Sequence, residues 1–427
     1  MFELEDIGMP VAKIKVVGVG GGGSNAVNSM VAANIYGVEF ITVNTDAQHL
    51  EASLAPVKVK IGAGLTKGLG AGSNPVIGRQ AAVDDKDTLA GCIEGADMIF
   101  ITAGMGGGTG TGASPVVASL AREMGILAVG VVTKPFYYEG RKRAINAEDG
   151  IRELKKYVDT LIIIPNDRIH LVVEKGTPLL KSFSIANDVL RQAIQGISDL
   201  ILIPGLINLD FADVKSIMEN AGRAVIGVGS GKGDGGAFEA AKRAISNPLL
   251  EESSIEGAKG ILINITGGLN MSIDAVQEAS SLIYESADDE ANIILGAVIN
   301  PDMEDEVRVT VIATGLEDRV VKAELPQVKK WTPDKKPISL KGSDRLLSKN
   351  IGMPQNEQRP LEQILHKEAV KEPEKTADNV RNAEPEQNLL EMLAKENEAQ
   401  KPVLNESILP QEDIYDIPTF LRKKTGD

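Results

Sequence analysis

Gly104-Met105-Gly106-Gly107-Gly108-Thr109-Gly110-Thr111-Gly112 places six glycines in nine residues. The stretch leaves an apolar run at residues 97–103 and enters a helix-like run at residues 113–120. Six glycines cost much backbone entropy on folding. Something must therefore approach this chain so closely that no side chain can stand in between. A second loop of the same kind comes earlier, at Gly18-Val19-Gly20-Gly21-Gly22-Gly23-Ser24-Asn25. It holds G-x-G-x-x-G at Gly18, Gly20 and Gly23, again between a strand and a helix. Two helix N-termini offer N–H groups and positive dipole ends, and together they can cradle a polyphosphate. Thr109 and Thr111 add hydroxyl donors. One loop would serve a pyrophosphate, so two suggest a triphosphate.

Asp46 ends the next strand, about 20 residues on, where a dinucleotide fold keeps its ribose acid. A nicotinamide-dependent dehydrogenase is thus an alternative, and a non-hydrolysing nucleotide-binding scaffold is another. A Walker A loop is absent. The nearest string, residues 227–233, has Ile226 where glycine is required and Gly233 in place of Ser or Thr. It reads as a strand-to-helix turn.

Working outward, residues 13–180 alternate β-branched runs with helical stretches, which predicts a mostly parallel α/β sheet with helices on both faces. Residues 179–201 read as one long helix, stopped by Pro204-Gly205. Four further strand-like runs separated by helices form a second, smaller α/β segment ending near Gly315. Beyond about Val320, Pro, Glu, Lys, Gln and Asn dominate, and the expectation is a disordered linker. Apolar pattern returns only in the last residues, where residues 413–424 look like a docking peptide.

The 427 residues carry a net charge of −15. Residues 321–427 hold 18 Lys and Arg against 19 Asp and Glu, so nearly all of the charge (−14) resides in residues 1–320. An acidic body without a basic stripe argues against a nucleic-acid partner. No apolar run is long enough to span a membrane, so direct membrane insertion is not expected. A single cysteine, Cys92, excludes an internal disulfide framework and suggests a reducing cytoplasm. The three histidines, His49, His170 and His366, show no metal-ligand spacing.

With these motifs in hand, the chain resembles the tubulin/FtsZ family of GTPases. The resemblance rests on GMGGGTGTG at 104–112, GVGGGGSNAV at 18–27, NTD at 44–46, TKGLGAGSNP at 66–75, KPFYYEGRKR at 134–143, SIANDVL at 184–190 and NLDFADV at 208–214. It covers residues 10–318 and resumes in DIYDIPTFLRKK at 413–424. It implies a Rossmann-like GTP-binding domain at 11–178, a central helix at 179–204 and a smaller domain carrying the GTPase-activating loop at 205–318. A linker at 319–406 and an adaptor-binding peptide at 407–427 would follow. At about 85 residues the linker would span roughly 50 Å as a coil.

The resemblance also implies roles. Gly21, Gly22, Gly23, Ser24 and Asn25 match one phosphate-contacting loop, and Gly106, Gly107, Gly108, Thr109 and Gly110 match the signature phosphate loop. Asn44 and Asp46 match a loop near the phosphates and Mg²⁺; read alone, they could equally form an Asx turn. Ala71, Gly72 and Ser73 match a loop near the γ-phosphate. Glu139 and Arg143, otherwise an i,i+4 pair, match ribose and phosphate contacts. Phe183, Asn187 and Asp188 match the guanine-reading positions. Asn208, Asp210 and Asp213 match the loop that activates water in a neighbouring subunit's site; by itself the pattern is a helix N-cap. Tyr137-Tyr138 depart from the family pattern and are expected to tune the pocket. The metal ligands stay unassigned. The implied whole is a head-to-tail filament of GTPase subunits in bacterial cell division. GTP, GDP and Mg²⁺ would be its cofactors. Membrane-adaptor and division-regulator proteins would bind the tail at a midcell ring on the inner face of the membrane.

Overall fold

The computed structural model describes residues 12–173, 176–203, 205–207, 209–248, 255 and 257–316. The expected linker and tail peptide lie outside these residues, as does Asn208.

The ten β-branched runs become ten strands: β1 (Ile14–Val19), β2 (Val38–Asn44), β3 (Val57–Lys60), β4 (Met98–Gly104), β5 (Leu127–Lys134), β6 (Thr160–Pro165), β7 (Gly222–Lys232), β8 (Gly260–Gly267), β9 (Asn292–Ile299) and β10 (Glu306–Leu316). Among the described residues eleven α-helices connect them: α1 (Gly20–Ala32), α2 (Ala47–Glu51), α3 (Ala63–Thr66), α4 (Pro75–Asp84), α5 (Lys86–Ile93), α6 (Thr109–Glu123), α7 (Arg141–Leu154), α8 (Leu179–Leu202), α9 (Phe211–Met218), α10 (Gly236–Ile245) and α11 (Ile273–Ser286). All ten strands share one sheet in the order β3-β2-β1-β4-β5-β6-β7-β10-β8-β9. Pairing is parallel except at β10, which runs antiparallel to both β7 and β8.

Period-two alternation sorts the core onto the two faces. Ile14 and Val16 of β1, with Met98 and Phe100 of β4, pack under α1 and α8. Val17 and Val19, with Ile99 and Ile101, pack under the helices of the other face. A third cluster sits among β8, β10, α10 and α11. Helix α8 buries Ala186, Leu190, Ala193, Ile194, Ile197 and Leu200 along one stripe. It ends at Ile203, which is extended, as the residue before a proline must be. At Gly196 the helix meets the second segment without a spacer. A Cβ there would lie 2.7 Å from Thr310 Cγ2, and Asn264 Nδ2 donates to the Gly196 carbonyl at 3.1 Å.

One expectation is corrected. Residues 227–232 are not a strand-to-helix turn but the second half of β7, and the turn is confined to residues 233–235. The alternate glycines serve packing. Cβ atoms at Gly227, Gly229 and Gly231 would stand 2.0–2.1 Å from the carbonyl oxygens of Ala244, Ala240 and Gly236. Helix α10 therefore lies directly on bare strand backbone.

Beside the α8–β10 contact, burial pushes the Asp199 carboxyl up to about 6, against the opposing pull of Gln195, Arg308 and Arg191. The cost of this burial is absent below the ordinary carboxylate range, grows as pH rises toward 6, and is full above it. Asp199→Asn should therefore stabilise the fold at pH 7.5 by up to about 3 kcal/mol and by about half that at pH 5. Thermal melts of both proteins across this range check the sign and the slope.

Candidate nucleotide-binding site

Strands β2, β1, β4, β5 and β6 are parallel neighbours, so their carboxyl ends open on one edge. Strand order reverses between β1 and β4, the topological switch point where α/β sheets bind ligands. The loops leaving these strands enclose a cavity of about 340 Å³ there.

Helices α1 and α6 both point their N-termini into this region. Neither has a capping side chain, and neither has an acidic residue in its first turn. Helices α2, α4, α9 and α11 are capped by Asp46, Asn74, Asp210 and Ser272, whereas α3, α5, α7, α8 and α10 also lack a side-chain cap, so what sets α1 and α6 apart is that both start at the cavity. Two uncapped N-termini facing one cavity leave N–H groups and dipole charge for an anion.

The glycines have two uses. A Cβ on Gly20 would come within 2.6 Å of the Gly110 nitrogen, and one on Gly22 within 3.0 Å of Gly104 Cα. On Gly110 it would meet the Gly104 carbonyl at 2.8 Å, and on Gly108 the Ala71 Cβ at 2.8 Å. Most of these positions are bare because loop packs on loop. Gly107 is different: the nearest atom to a Cβ there is Arg143 Nη2 at 3.9 Å, and the residue lines the cavity. What approaches the chain so closely is thus, at most of these positions, a neighbouring loop of the protein itself. Thr111 is likewise engaged within the protein, since its Oγ1 accepts from the Gly106 N–H at 2.8 Å. Thr109 does line the cavity, and its hydroxyl is 2.7 Å from that of Thr45.

Of the expected site residues, the cavity wall gathers Gly21, Gly22, Asn25, Asn44, Asp46, Ala71, Gly72, Ser73, Gly107, Gly108, Thr109, Gly110, Glu139, Arg143, Phe183 and Asn187. Ser73 holds a left-handed φ of 57°, which a serine adopts only where its surroundings impose it. Glu139 accepts from the Phe136 N–H at 2.9 Å and pairs with Arg143 Nε at 3.2 Å. Asp46 accepts from the His49 N–H at 3.1 Å. Asn25 is buried, and its Oδ1 has no hydrogen-bond partner. The Tyr138 phenol at the neighbouring turn is pushed up to about 12 by burial, with Glu139 and Asp167 adding to the effect.

Other expected residues lie off the wall. Gly23 packs beneath it, where a Cβ would meet the Thr102 carbonyl at 2.4 Å. Ser24 turns inward to the Gly20 carbonyl at 2.9 Å. Gly106 adopts φ +100° against the Arg143 backbone. The Asp188 carboxylate is engaged on the helix surface by Arg191 Nε at 2.7 Å and Gln192 Nε2 at 2.5 Å. Asp210 and Asp213 are exposed at the start of α9, where Asp210 Oδ1 caps the Asp213 N–H at 2.8 Å.

Residues 13–174 match the family described as "Tubulin/FtsZ family, GTPase domain", and residues 222–317 match "FtsZ family, C-terminal domain". An empty FtsZ dimer from M. jannaschii is 42% identical, with a TM-score of 0.70 over 73% of this chain and 90% of that one. A tryptophan-to-tyrosine mutant of FtsZ from the same organism is 43% identical, with a TM-score of 0.69 over 72% and 92%. The chain belongs to the FtsZ family. CetZ2 from Haloferax volcanii, a GTPγS-bound protofilament, shares the fold at 21% identity and a TM-score of 0.61, over 71% of this chain and 93% of that one.

Membership of the FtsZ family makes residues 13–174 a tubulin/FtsZ GTPase domain and guanine nucleotide the implied ligand. The dehydrogenase alternative falls with this. Sequence reasoning missed several wall residues: Gly70 and Met105 inside loops already singled out, Thr133 at the end of β5 and Pro135 just after it, Leu190 on α8, and Asn166 after β6. Asn166 carried no motif signal. It is 6% exposed, and its Oδ1, like that of Asn25, has no partner. A ligand donor reaching it would relieve a buried unsatisfied acceptor. Asn166→Ala should therefore weaken GDP binding about tenfold while leaving the melting temperature of the nucleotide-free protein nearly unchanged. Titration calorimetry and a melt of the same sample separate the two effects.

Proposed function

We propose that this protein is a self-assembling GTPase whose active site is completed only between subunits, and that its filaments serve cell division. One observation carries the reading: the exposed carboxylates of Asp210 and Asp213 are held far from the chain's own cavity. Helix α8 lines the cavity from Phe183 to Leu190 and runs on for a further 12 residues, about 18 Å, beyond it. Leu206 and Ile207 are then tied to Ala297, and Leu209 packs beside Gly296 and Leu200, so Asp210 stays at the distal end. On the cavity wall, Asp46 and Glu139 each already accept a backbone N–H. A head-to-tail contact brings the aspartates of one copy to the cavity of the next, and such a heterologous contact propagates as a filament. The related structures include an FtsZ dimer and a CetZ2 protofilament, which supports self-association.

In this reading the α1 and α6 N-termini and Gly107 hold the phosphates. Glu139 and Arg143 hold the ribose side, while Phe183 and Asn187 face the base. Asp188 would have to leave Arg191 to join them. Asp46 would be a residue that holds Mg²⁺ near the phosphates, and the ion when bound would neutralise phosphate charge. The incoming Asp210 and Asp213 orient and deprotonate the attacking water, and Asn208 belongs to the same loop. Their cap on α9 fixes them for that task. Among the described residues no helix is long and apolar enough to cross a membrane, so attachment at midcell would depend on adaptors binding residues 413–424.

GTP turnover per subunit should rise from near zero above a threshold protein concentration, together with pelletable polymer. Asp210→Ala should bind GTP normally and lose at least about a hundredfold in turnover. Mixing it with a cavity variant such as Gly107→Asp, itself inactive, should restore turnover, because one subunit supplies the cavity and the other the aspartates. Constant turnover down to high dilution, or no recovery in the mixture, would mean that each chain holds a complete site.

A further inference from the structure

The turn after β5 carries an aromatic arrangement that the nucleotide-binding residues leave unexplained. Phe183 lines the cavity from α8 and is half-buried, so one side of its ring faces open space. Phe136 does not line the cavity. It is buried, and its ring meets Phe183 edge-on, with centroids 5.2 Å apart and planes at 84°. Tyr138 stacks on Phe136 at 5.0 Å and 15° from the solvent side. Ile169 and Ala186 complete the packing around Phe136.

The backbone of this turn is fixed as tightly as its rings. Phe136 N–H donates to Glu139 Oε1, and the Glu139 N–H returns to the Phe136 carbonyl at 3.0 Å. Tyr137 N–H donates to Asp167 Oδ1 at 2.7 Å. Phe136 therefore has neither backbone nor side-chain freedom, whereas Phe183, on a helix beside the cavity, has no fixed partner on its open side. Edge-to-face geometry is favoured because the positive ring edge meets the negative ring face. That preference selects one orientation of Phe183 among its rotamers.

We propose that Phe136 is a positioning residue for the base: held between Tyr138 and Phe183, its ring locks the Phe183 ring against the cavity so that a base meets a preorganised stacking surface. This rests on the guanine-nucleotide reading of the cavity. Because the same turn presents Glu139 to Arg143, one four-residue segment sets both the base end and the sugar end of the site. The gain is entropic. A ring already held in place loses less freedom when a base stacks on it.

The test is a double-mutant cycle on the full chain, reading the affinity for a fluorescent GDP analogue. Phe136→Leu should weaken binding about fivefold to tenfold, and Phe136→Tyr, which keeps the ring, should stay within about twofold of wild type. Phe183→Leu should weaken binding at least as much as Phe136→Leu. In the Phe183→Leu background, adding Phe136→Leu should cost no more than about a further twofold. Tyr138→Ala, at the exposed end of the stack, provides the second route if Phe136→Leu does not fold. Its smaller loss should also vanish once Phe183 is gone. A Phe136→Leu loss that persists in full without Phe183 would make the residue a general support of the fold and overturn the proposal, as would unchanged affinity. Failure of the wild-type protein to bind GDP would instead overturn the nucleotide reading, before any variant is compared.

Discussion

The contact on which the rest depends is the one between two stretches of bare backbone. Helix α1 starts at Gly20 against Gly110, and Gly22 lies against Gly104. These contacts bring two uncapped helix N-termini side by side at the reversal of strand order. Neither N-terminus alone would hold a polyphosphate strongly, because the dipole field fades within a turn. Adjacent, they superpose over one cavity. A Cβ on Gly20, Gly22 or Gly110 would force the loops apart and separate the two fields. The cost is concentrated in one place: a long glycine-rich segment whose ordering must be offset by the packed strands β1 and β4 behind it.

From that seam the architecture distributes labour along α8. Its first turns form cavity wall, its middle rests on β8 and β10 through Gly196 and Asn264, and its end leads into the capped aspartates. Three-residue pairing between β6 and β7 joins the two parts of the sheet only briefly. The helix is therefore the longer shared element, and it has no flexible break within it. A rigid rod between the cavity and the exposed carboxylates keeps those two features at a fixed separation, as the proposed head-to-tail assembly requires.

Much of this was legible in the sequence because the signals were periodic or punctuated. Ten β-branched runs became ten strands, and a 3.6-residue stripe stopped by proline marked α8 to within one residue at its C-terminal end. The two glycine loops declared the cavity. Three kinds of feature stayed hidden. The alternate glycines of β7 resemble a turn locally, and only the helix lying on them reveals a strand. Asn166 has no neighbours of diagnostic type, and its significance lies in an amide oxygen left alone by the fold. Asp188 sits one residue from Asn187, but 100° around a helix takes its carboxylate to Arg191 and Gln192. Sequence spacing places a residue on a helix more easily than it decides which neighbour claims its side chain.

The glycine-loop end of the cavity is built largely from main chain, and at Gly20, Gly22, Gly108 and Gly110 a neighbouring loop occupies the space of a side chain. Such a surface has almost no mutational neighbourhood: most single substitutions dismantle it, and few could retune it. The opposite end is the reverse, made of side chains such as Phe183, Asn187 and Asn166. The glycine loops therefore act as a fixed frame, and the side chains of the opposite end are where a single substitution can change what the cavity accepts.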